Sequence, residues 1–392
     1  MSTQAGPSVA LPSPANDPKQ GVELGRLSQW QLIRIRFAKH RLAVIALQVL
    51  IVLYFLAIFA EFMSPYTREW RDLDHAYCPP QIVRLNFSDG LHVRAMTRHV
   101  DPVTFRKTYT EDANDTISLS FFVKGEPYKM WGWIPMERHF LGVDREAYAR
   151  HREGKPIGPK PTFFLLGADR YGRDLLSRMI YGARISLSVG LIGIMCTFIF
   201  GVTIGGISGY LGGTVDTLIQ RLIEIFNSFP HLPLWLALAA VLPGDWSALK
   251  IYFAITILLS LLNWTGLARV VRGKILALRE EDYAMAARLL GASHGRILFR
   301  HLLPGFTSHI IVALTLSVPG MILGETSLSF LGLGLRPPIV SWGVLLQDCI
   351  DIKVVQFYPW LLLPVVLIVL TVLCFNFMGD GLRDAADPYS TR

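Results

Sequence analysis

The chain has 392 residues, of which 52% are hydrophobic and 17% are charged, and its formal net charge is +8. Soluble domains usually carry about 25% charged residues, so this composition indicates a protein embedded in lipid. The positive charge does not indicate nucleic-acid binding, because the basic residues gather beside long apolar runs, where topology and anionic lipid account for them. No nucleic-acid-binding motif accompanies them.

The N-terminal residues contain two different segments. Residues 1–25 are rich in Pro, Ser, Ala and Gln without helical periodicity, which predicts a disordered tail. They lack the apolar core of a cleavable signal peptide. From Trp30 to His40, basic and apolar residues alternate at helical spacing, which predicts an amphipathic helix on the inner membrane surface. This helix and the first membrane span form the predicted unit 26–60.

Six apolar runs are candidates for transmembrane helices. A helix that rises about 1.5 Å per residue needs about 20 apolar residues to cross a hydrocarbon core of about 30 Å. The third run carries charges near its start, and the fifth is short unless its flanks contribute. The runs are Leu42–Ala60, Ile185–Tyr210, Leu218–Val241, Ile251–Ala268, Ile310–Leu323 and Trp360–Phe377. The sequence therefore predicts an all-α integral membrane protein with six transmembrane helices.

The basic residues predict the orientation of these spans. Lys and Arg concentrate on the cytoplasmic side of membrane proteins. Here they precede the first span and fill the segment 269–304, as Arg26, Arg34, Arg36, Lys39, Arg41, Arg269, Arg272, Lys274, Arg279, Arg288, Arg296 and Arg300. This distribution predicts that residues 269–304 form a cytoplasmic loop. Because the number of spans is even, both termini are predicted to be cytoplasmic as well.

Residues 61–184 form a long polar segment on the opposite, extracytoplasmic side. Alternating β-forming residues in Thr104–Tyr109 and Ile117–Lys124 predict small strands or hairpins. The aromatic residues Trp131, Trp133 and Phe140 either pack these strands together or lie at the membrane interface. The histidines of the segment show no metal-ligand spacing, which favours surface or packing roles.

The four cysteines, Cys78, Cys196, Cys349 and Cys374, show no CxxC or Cys/His metal spacing. Cys196 and Cys374 fall within spans and are interpreted as small buried hydrophobic residues. Cys78 and Cys349 are predicted to face the same outer side, so a disulfide between them is one option.

Glycine recurs every four residues in the second predicted span, at Gly201, Gly205, Gly209 and Gly213. Close backbone packing drives helix association in lipid, and a glycine stripe allows another helix to approach. Two interpretations are open: packing within one bundle, which is favoured, and an interface that slides.

The sequence lacks the motifs of the common catalytic sites. There is no G-x-x-x-x-G-K-[ST] phosphate loop, no H-E-x-x-H and no G-x-S-x-G. Ionisable residues are sparse within the spans, which argues against a proton relay. No catalytic, cofactor-binding or metal-binding residue is therefore predicted on this chain.

The stretch DYAMAARLLGASHGRILFRHLLPG, Asp282–Gly305, is punctuated as two short helices. Acidic residues favour a helix start at Glu280, and Gly291 is well placed as the left-handed residue that ends this helix. Ser293 can then cap a second helix, His294–Leu303, which is followed by Pro304. Small residues on an exposed helix indicate insertion into a groove of another protein.

This stretch resembles the cytoplasmic loop of ABC importer permeases, whose pattern is Glu-Ala-Ala, three residues, Gly, nine residues, an aliphatic residue, one more, then Leu-Pro. The matching positions are Ala286, Ala287, Gly291, Leu303 and Pro304. Met285 replaces the glutamate and His301 replaces the aliphatic residue. These departures affect any salt bridge of the glutamate and leave the helix–glycine–helix geometry unchanged.

The resemblance extends over residues 165–388. The stretches LLGADRYGRDLLSRMIYGARISLSVG, GYLGGTVD, ETSLSFLGLG and GDGLRDAADP are similar to the second permease subunit of oligopeptide, dipeptide and nickel importers. The outer residues from about Tyr66 to Lys160 have no such counterpart. The resemblance implies the type I ABC importer permease fold, with residues 185–392 as the permease core.

The resemblance also implies partners. They are a second homologous permease subunit, two ATP-binding subunits that hold ATP and Mg, and an extracytoplasmic substrate-binding protein, in a bacterial inner membrane. The residues expected to couple to an ATPase subunit are Asp282, Tyr283, Ala284, Met285, Ala286, Ala287, Gly291, Ala292 and Ser293. Peptides are the expected substrates, with oligosaccharides or nickel as alternatives.

The alternative to an ATP-driven importer is a protein of another functional class, a secondary transporter or a channel. It predicts charged residues at mid-membrane or repeated interrupted helices, and neither pattern is evident. Glu325 and Asn263 are polar groups near span ends that could line a translocation path. Helix packing is the favoured interpretation of both.

Overall fold

The structure is a computed structural model and describes residues 28–86, 90–103, 107–145, 148–149 and 161–387. The tail predicted for residues 1–25 lies outside the described residues. The helices are α1 Gln29–Lys39, α2 Arg41–Ile58, α3 Ala60–Met63, α4 Leu175–Leu211, α5 Gly213–Ser228, α6 His231–Ala240, α7 Ala248–Leu278, α8 Asp282–Leu289, α9 His294–Arg296, α10 Thr307–Phe330, α11 Trp342–Leu345, α12 Ile352–Phe357 and α13 Leu363–Ala386. The strands are β1 Arg84–Asn86, β2 Gly90–Val100, β3 Lys107–Met130 and β4 Ile134–Val143.

Five helical segments among the described residues are long and apolar enough to cross a membrane. They are Arg41–Ile58, Leu175–Leu211, Ala248–Leu278, His294–Phe330 and Pro359–Ala386. A sixth crossing requires α5 and α6 together, and these two helices meet at an angle of 87°. Pro230 lies between them and has no N–H to continue the helix.

The neighbouring helices α4 and α7 run in the same direction, which settles the number of crossings. The Ser260 hydroxyl donates to the Gly193 carbonyl at 3.1 Å, near the middle of both helices. Further along, Gly201 faces Leu267 and Gly209 faces Arg272. Because parallel helices start on the same side, the chain must return across the membrane between them, and α5 and α6 provide that return. The prediction of six spans is confirmed, with the third one broken.

The glycine stripe packs inside the bundle. A Cβ added at Gly201 would lie 2.8 Å from the Leu267 side chain, and one added at Gly209 would lie 2.8 Å from the Arg272 carbonyl oxygen. Such contacts are too short for any side chain, so only glycine allows α4 and α7 to approach this closely. This confirms the packing interpretation for these positions. Gly213 lies outside the contact and has nothing within 4 Å of an added Cβ.

The second and fifth spans extend beyond the predicted runs. The second begins at Leu175, where Asp174 caps the helix by accepting the Ser177 N–H at 2.7 Å, rather than at Ile185. Polar residues in its first turns hid this start. The fifth span continues back to His294 through a π-helical segment, Ile297–Leu302, and a 3₁₀ segment, Leu303–Phe306.

The outer segment contains a four-stranded antiparallel sheet in the order β1-β2-β3-β4. The long strand β3 pairs with β2 along its first half and with β4 along its second half, and the register shifts between Lys124 and Tyr128. The strand predicted for Ile117–Lys124 is confirmed within β3. The prediction for Thr104–Tyr109 is confirmed from Lys107 onwards, and its first three residues lie outside the described residues. The membrane-spanning part is all-α, as predicted. The outer segment contributes a β-sheet that the predicted fold class did not include.

The outer segment is fastened to the outer ends of the first two spans. The Arg184 guanidinium, in α4, donates two hydrogen bonds of 2.6 Å to the Glu61 carboxylate and one of 2.8 Å to the Ala57 carbonyl. The buried His139 ring, in β4, lies 2.7 Å from the Ser64 carbonyl oxygen. Phe140 packs against Phe62 just beyond the first span. The sheet therefore has a fixed position relative to α2 and α4.

All four cysteines are free in the structure. The Cys78 thiol donates to the Pro79 carbonyl and the Cys349 thiol to the Leu361 carbonyl. The disulfide considered between Cys78 and Cys349 is therefore not formed.

Candidate functional site: the α8 helix and its support

The short helix α8 ends as its sequence predicts. Gly291 has φ of +79°, in the left-handed region where glycine is favoured. The Gly291 N–H donates to the Arg288 carbonyl at 3.0 Å, and the Ala292 N–H donates to the Ala287 carbonyl at 3.1 Å. These two bonds form a Schellman motif, which satisfies carbonyls that would otherwise lack a donor at the helix end. The predicted helix–glycine geometry is confirmed.

The segment after Gly291 differs in part from the prediction. Ser293 caps the next turn by accepting the Arg296 N–H at 3.4 Å, as expected. The predicted helix His294–Leu303 is wrong in type, because α9 ends at Arg296 and the chain continues as the π-helical segment. Pro304 follows this segment and has no N–H to donate, so the regular α-helical ladder cannot continue through it. The first helix also starts at Asp282 instead of Glu280.

One face of α8 is anchored to the inner ends of the spans. Ala284 is buried and packs in a cluster contributed by α4, α7 and the fifth span: Val202, Leu267, Val271, Ile275, Ile297, Leu298, Leu302, Phe306 and Ile310. Ala287 and Ala292 pack against the same cluster. The small side chains therefore bring the helix backbone close to three spans at once.

The opposite face of α8 is exposed and apolar. Leu289 and Leu290 are both 88% exposed at the C-terminal end of the helix. Tyr283 and Met285 are also exposed, as are Asp282, Ala286, Gly291 and Ser293. Partial desolvation of the phenol and the nearby Glu281 carboxylate raise the pKa of Tyr283, so it stays neutral at physiological pH. This face can offer shape and apolar contact to a partner.

Residues below α8 hold it against the end of α4. The Arg279 guanidinium donates to the Gly209 carbonyl at 3.0 Å, at the negative C-terminal end of that helix. The His294 Nδ1 and the Tyr210 hydroxyl lie 3.2 Å apart. A cavity of about 340 Å³ is lined by Tyr210, Arg279 and His294, together with Ala284 and Arg288. Sequence reasoning missed them as a group, since the basic residues were attributed to topology alone.

Asp216 and Arg272 form a second support that the sequence did not reveal. Asp216 stands in the GYLGGTVD stretch and Arg272 in the basic run after the fourth span, 56 positions apart. Their pairing joins α5 to α7, and the Ser208 hydroxyl adds a hydrogen bond from α4 to Asp216. The motif stretch was a signal that Asp216 matters, but its partner could not be identified without the fold.

Glu325 and Asn263 have packing contacts. The fully buried Glu325 carboxylate accepts hydrogen bonds from Ser329 and Ser341 at 2.7 Å and from Ser186 at 3.2 Å. The Asn263 amide donates to the Leu259 carbonyl at 3.0 Å, one turn earlier in its own helix. These contacts support the packing interpretation over a path-lining role. Among the residues that the structure describes, no group of His, Cys, Asp or Glu could hold a metal ion.

Comparison with known proteins agrees with this geometry. Residues 201–391 match the family model described as "Binding-protein-dependent transport system inner membrane component", and residues 28–80 match "N-terminal TM domain of oligopeptide transport permease C". Both α8 and the Asp216–Arg272 pair fall within the first of these ranges. The two ranges flank residues 81–200, which include the outer sheet.

Several curated relatives are similar over most of their own length. The chain is 42% identical to the oligopeptide transport system permease protein OppC of Haemophilus influenzae, over 58% of this chain and 70% of that protein. It is 44% identical to OppC of Escherichia coli strain K12, over 57% and 71%. It is 41% identical to the dipeptide transport system permease protein DppC of Bacillus subtilis, over 57% and 68%.

Among solved structures, the chain resembles an inward-facing MetNI methionine ABC transporter chain with a TM-score of 0.41 and 19% identity, over 54% of this chain and 97% of that one. That likeness is too distant to carry an argument. The family match and the curated relatives show the family without it. The chain belongs to the family of inner-membrane permease components of binding-protein-dependent transport systems, with oligopeptide and dipeptide permeases among its relatives.

Proposed function

We propose that this chain is one of two permease subunits of an ATP-driven importer and forms half of the path for dipeptides or oligopeptides. An extracytoplasmic substrate-binding protein delivers the peptide, and a second homologous permease subunit completes the path. The named oligopeptide and dipeptide permeases among the relatives support this substrate class. Two separate subunits bind ATP and Mg and hydrolyse the ATP, since this chain contains no phosphate loop.

The observation that carries the proposal is the exposed end of α8. A helix that is anchored through Ala284 and ended by a Schellman motif presents Leu289 and Leu290 almost fully to solvent. Exposed apolar groups on a fixed, well-ordered element are typical of a surface that a partner covers. The exposed residues form this coupling surface, whose partner is an ATPase subunit: Asp282, Tyr283, Met285, Ala286, Leu289, Leu290, Gly291 and Ser293. Ala284, Ala287 and Ala292 anchor the surface to the spans.

The anchored face of α8 explains how movement of the ATPase reaches the membrane. Ala284 packs against α7, α4 and the fifth span within one cluster. Close-packed interiors transmit displacement because they cannot be compressed. When ATP binding closes the ATPase pair, α8 moves with it and carries these spans, which exchange inward-facing and outward-facing arrangements.

The orientation of the complex follows from charge. The inner-face arginines, among them Arg279 and Arg36, lie on the same side of the bundle as α8 and the C-terminal end of α13. By the excess of basic residues, this side is the cytoplasm of a bacterial cell and the outer sheet is extracytoplasmic.

The experiment that tests the proposal changes the exposed leucines. The double variant Leu289→Asp/Leu290→Asp is expected to insert normally and to lose substrate-stimulated ATP hydrolysis in the reconstituted complex. The control is Leu85→Asp, which changes an 81% exposed leucine in the outer sheet. Full substrate stimulation of ATP hydrolysis in the double variant would show that α8 does not contribute to coupling.

Two alternatives are distinguished by further measurements. If the machinery imports oligosaccharides or nickel, the cognate binding protein binds those ligands and ignores a peptide library. If the chain is a secondary transporter or a channel, proteoliposomes that contain it alone accumulate or leak substrate without ATP. Peptide uptake that requires all subunits and ATP supports the proposal.

A further inference from the structure

The turn that joins β3 to β4 has an unusual composition and backbone. It consists of Trp131, Gly132 and Trp133, with the Met130–Ile134 pair closing the hairpin. Trp131 has φ of +52° and Gly132 has φ of +87°. A bulky residue rarely adopts positive φ, so surrounding contacts must hold Trp131 in place. Both tryptophans are nevertheless substantially exposed, Trp133 by 71%.

The contacts that hold Trp131 come from the end of the first span. Its indole Nε1 donates to the Ile58 carbonyl at 2.8 Å, and its ring lies 5.8 Å from the Phe59 ring. Ile58 is the last residue of α2, so its carbonyl has no partner within the helix. The turn therefore lies beside the outer end of the first span.

The exposed surface of this turn continues the lipid-facing surface of α2. Phe55 and Ile58 are each about half exposed on the outer part of that span, where the solvent is lipid. Trp131 and Trp133 extend the same apolar surface away from the helix. Phe121 and Phe122, on β3, are two more half-exposed aromatic residues, and both rings pack against Phe140.

We propose that the turn 131–133 inserts into the headgroup region of the outer leaflet and fastens the outer sheet to the membrane surface. Indole rings favour this region because they combine an apolar body with an N–H that can reach polar partners. The exposed Lys129, next to the turn, is placed to reach lipid phosphates. The partner is therefore the lipid surface, through continuity with the lipid-facing side of α2.

The anchor gives the outer sheet two fixed points. The hydrogen bonds of Glu61 and His139 hold the sheet at the ends of α2 and α4, and the turn holds the tip of the β3–β4 hairpin. Both attachments of the outer sheet involve only lipid and the spans. The proposed anchor therefore does not depend on the identity of the substrate.

The test places a nitroxide label on the turn. In a chain whose four native cysteines are replaced, Trp133→Cys is labelled and the complex with its partner subunits is placed in lipid nanodiscs. The matched control is Val103→Cys, an 83% exposed residue in the turn at the opposite end of β3. Oxygen, which concentrates in lipid, and a water-soluble nickel chelate are the two relaxing agents.

We expect the ratio of oxygen to nickel accessibility to be several-fold higher at position 133 than at position 103. Equal nickel accessibility at both positions would overturn the proposal, since the turn would lie in water. Shielding of position 133 from both agents would also overturn it, because a protein partner would then cover the turn.

A second measurement leaves the cysteines unchanged. Brominated lipids quench the fluorescence of tryptophans at the membrane interface. Trp133→Phe should therefore reduce the fraction of the tryptophan fluorescence that these lipids quench. The matched control Trp70→Phe removes a tryptophan that stacks on Tyr66 inside the outer segment, 3.9 Å between ring centroids, and should leave that part unchanged. An unchanged quenchable fraction in Trp133→Phe contradicts the insertion.

Discussion

Both carboxylate oxygens of Asp216 accept hydrogen bonds from the guanidinium of Arg272, through Nε and Nη2 at 2.5 Å each. The pair joins the first half of the broken third span to the fourth span. Its side chains are 15% and 30% exposed, so water replaces this interaction poorly. Bidentate pairs of this kind add geometric specificity to charge.

Arg272→Ala should therefore lower the stability of the bundle. Loss of a charged, partly buried hydrogen-bond partner costs about 1.5–3 kcal/mol. The measurement is the thermal unfolding midpoint of the purified chain in detergent. The midpoint of Arg272→Lys should lie between those of Arg272→Ala and the unchanged chain. The control is Arg221→Ala, since the Arg221–Glu224 pair is 73% and 55% exposed and should contribute almost nothing. Equal midpoints for both alanine variants would contradict the importance of the Asp216 pair.

Gly291→Val tests backbone shape at the end of α8. A Cβ at Gly291 meets nothing within 4 Å, so the effect arises from the positive φ alone and amounts to about 1–2 kcal/mol. That is too little to unfold the bundle and enough to displace the helix end. We expect normal membrane insertion and loss of substrate-stimulated ATP hydrolysis in the reconstituted complex.

Two controls separate this effect from side-chain size and charge. Gly295 also has open space around it but lies in α9 without positive φ, so Gly295→Val should retain stimulation. Met285 is exposed on α8, where glutamate is well tolerated, so Met285→Glu should be nearly neutral. Loss of stimulation in all three variants would show that the surface responds to any change.

The orientation predicts opposite accessibility of two engineered cysteines. In a cysteine-free chain, Leu85→Cys in the outer sheet should react with a membrane-impermeant maleimide added to intact cells. Arg288→Cys on α8 should react only after the membrane is permeabilised. Both native side chains are exposed, so the difference reports the side of the membrane. Reaction of Arg288→Cys from outside would reverse the topology.

The two outer cysteines should react slowly with maleimides. Burial raises the pKa of the Cys349 thiol to about 11 and raises that of Cys78 as well. The thiolate is the reactive form, so at pH 8 labelling of Cys349 should be on the order of 100-fold slower than that of an unperturbed thiol, and faster as pH rises towards 11. The measurement uses Cys196→Ala/Cys374→Ala, with Leu85→Cys as the exposed reference. Rapid labelling, or a Cys78–Cys349 disulfide in a non-reducing digest, would contradict the structure.

The elements that sequence reasoning predicted are those with a local signal. Continuous apolar runs identified the spans, and Gly291 between two helical stretches identified the α8 segment with its left-handed end. Residues of β-forming type identified the outer strands. Each of these signals depends on neighbours along the chain.

The missed features depend on contacts between distant residues. The 87° bend at Pro230 interrupts the third apolar run. The start of α4 at Leu175 extends the second run into polar residues, which gave no clear boundary. The Asp216–Arg272 pair and the Arg279 bonds to α4 join separate spans, so no local pattern could show them. The β3–β4 turn contacts Ile58 across 73 positions.

The absence of a side chain at Gly201 and Gly209 also determines where damaging mutations would have their effect. Any residue larger than glycine at Gly201 or Gly209 must push α7 away. Since α7 leads through Arg279 directly to α8, the displacement reaches the exposed surface of α8. A genetic screen for uncoupled transporters should therefore recover substitutions deep in the bilayer, far from any nucleotide, alongside those on the coupling surface.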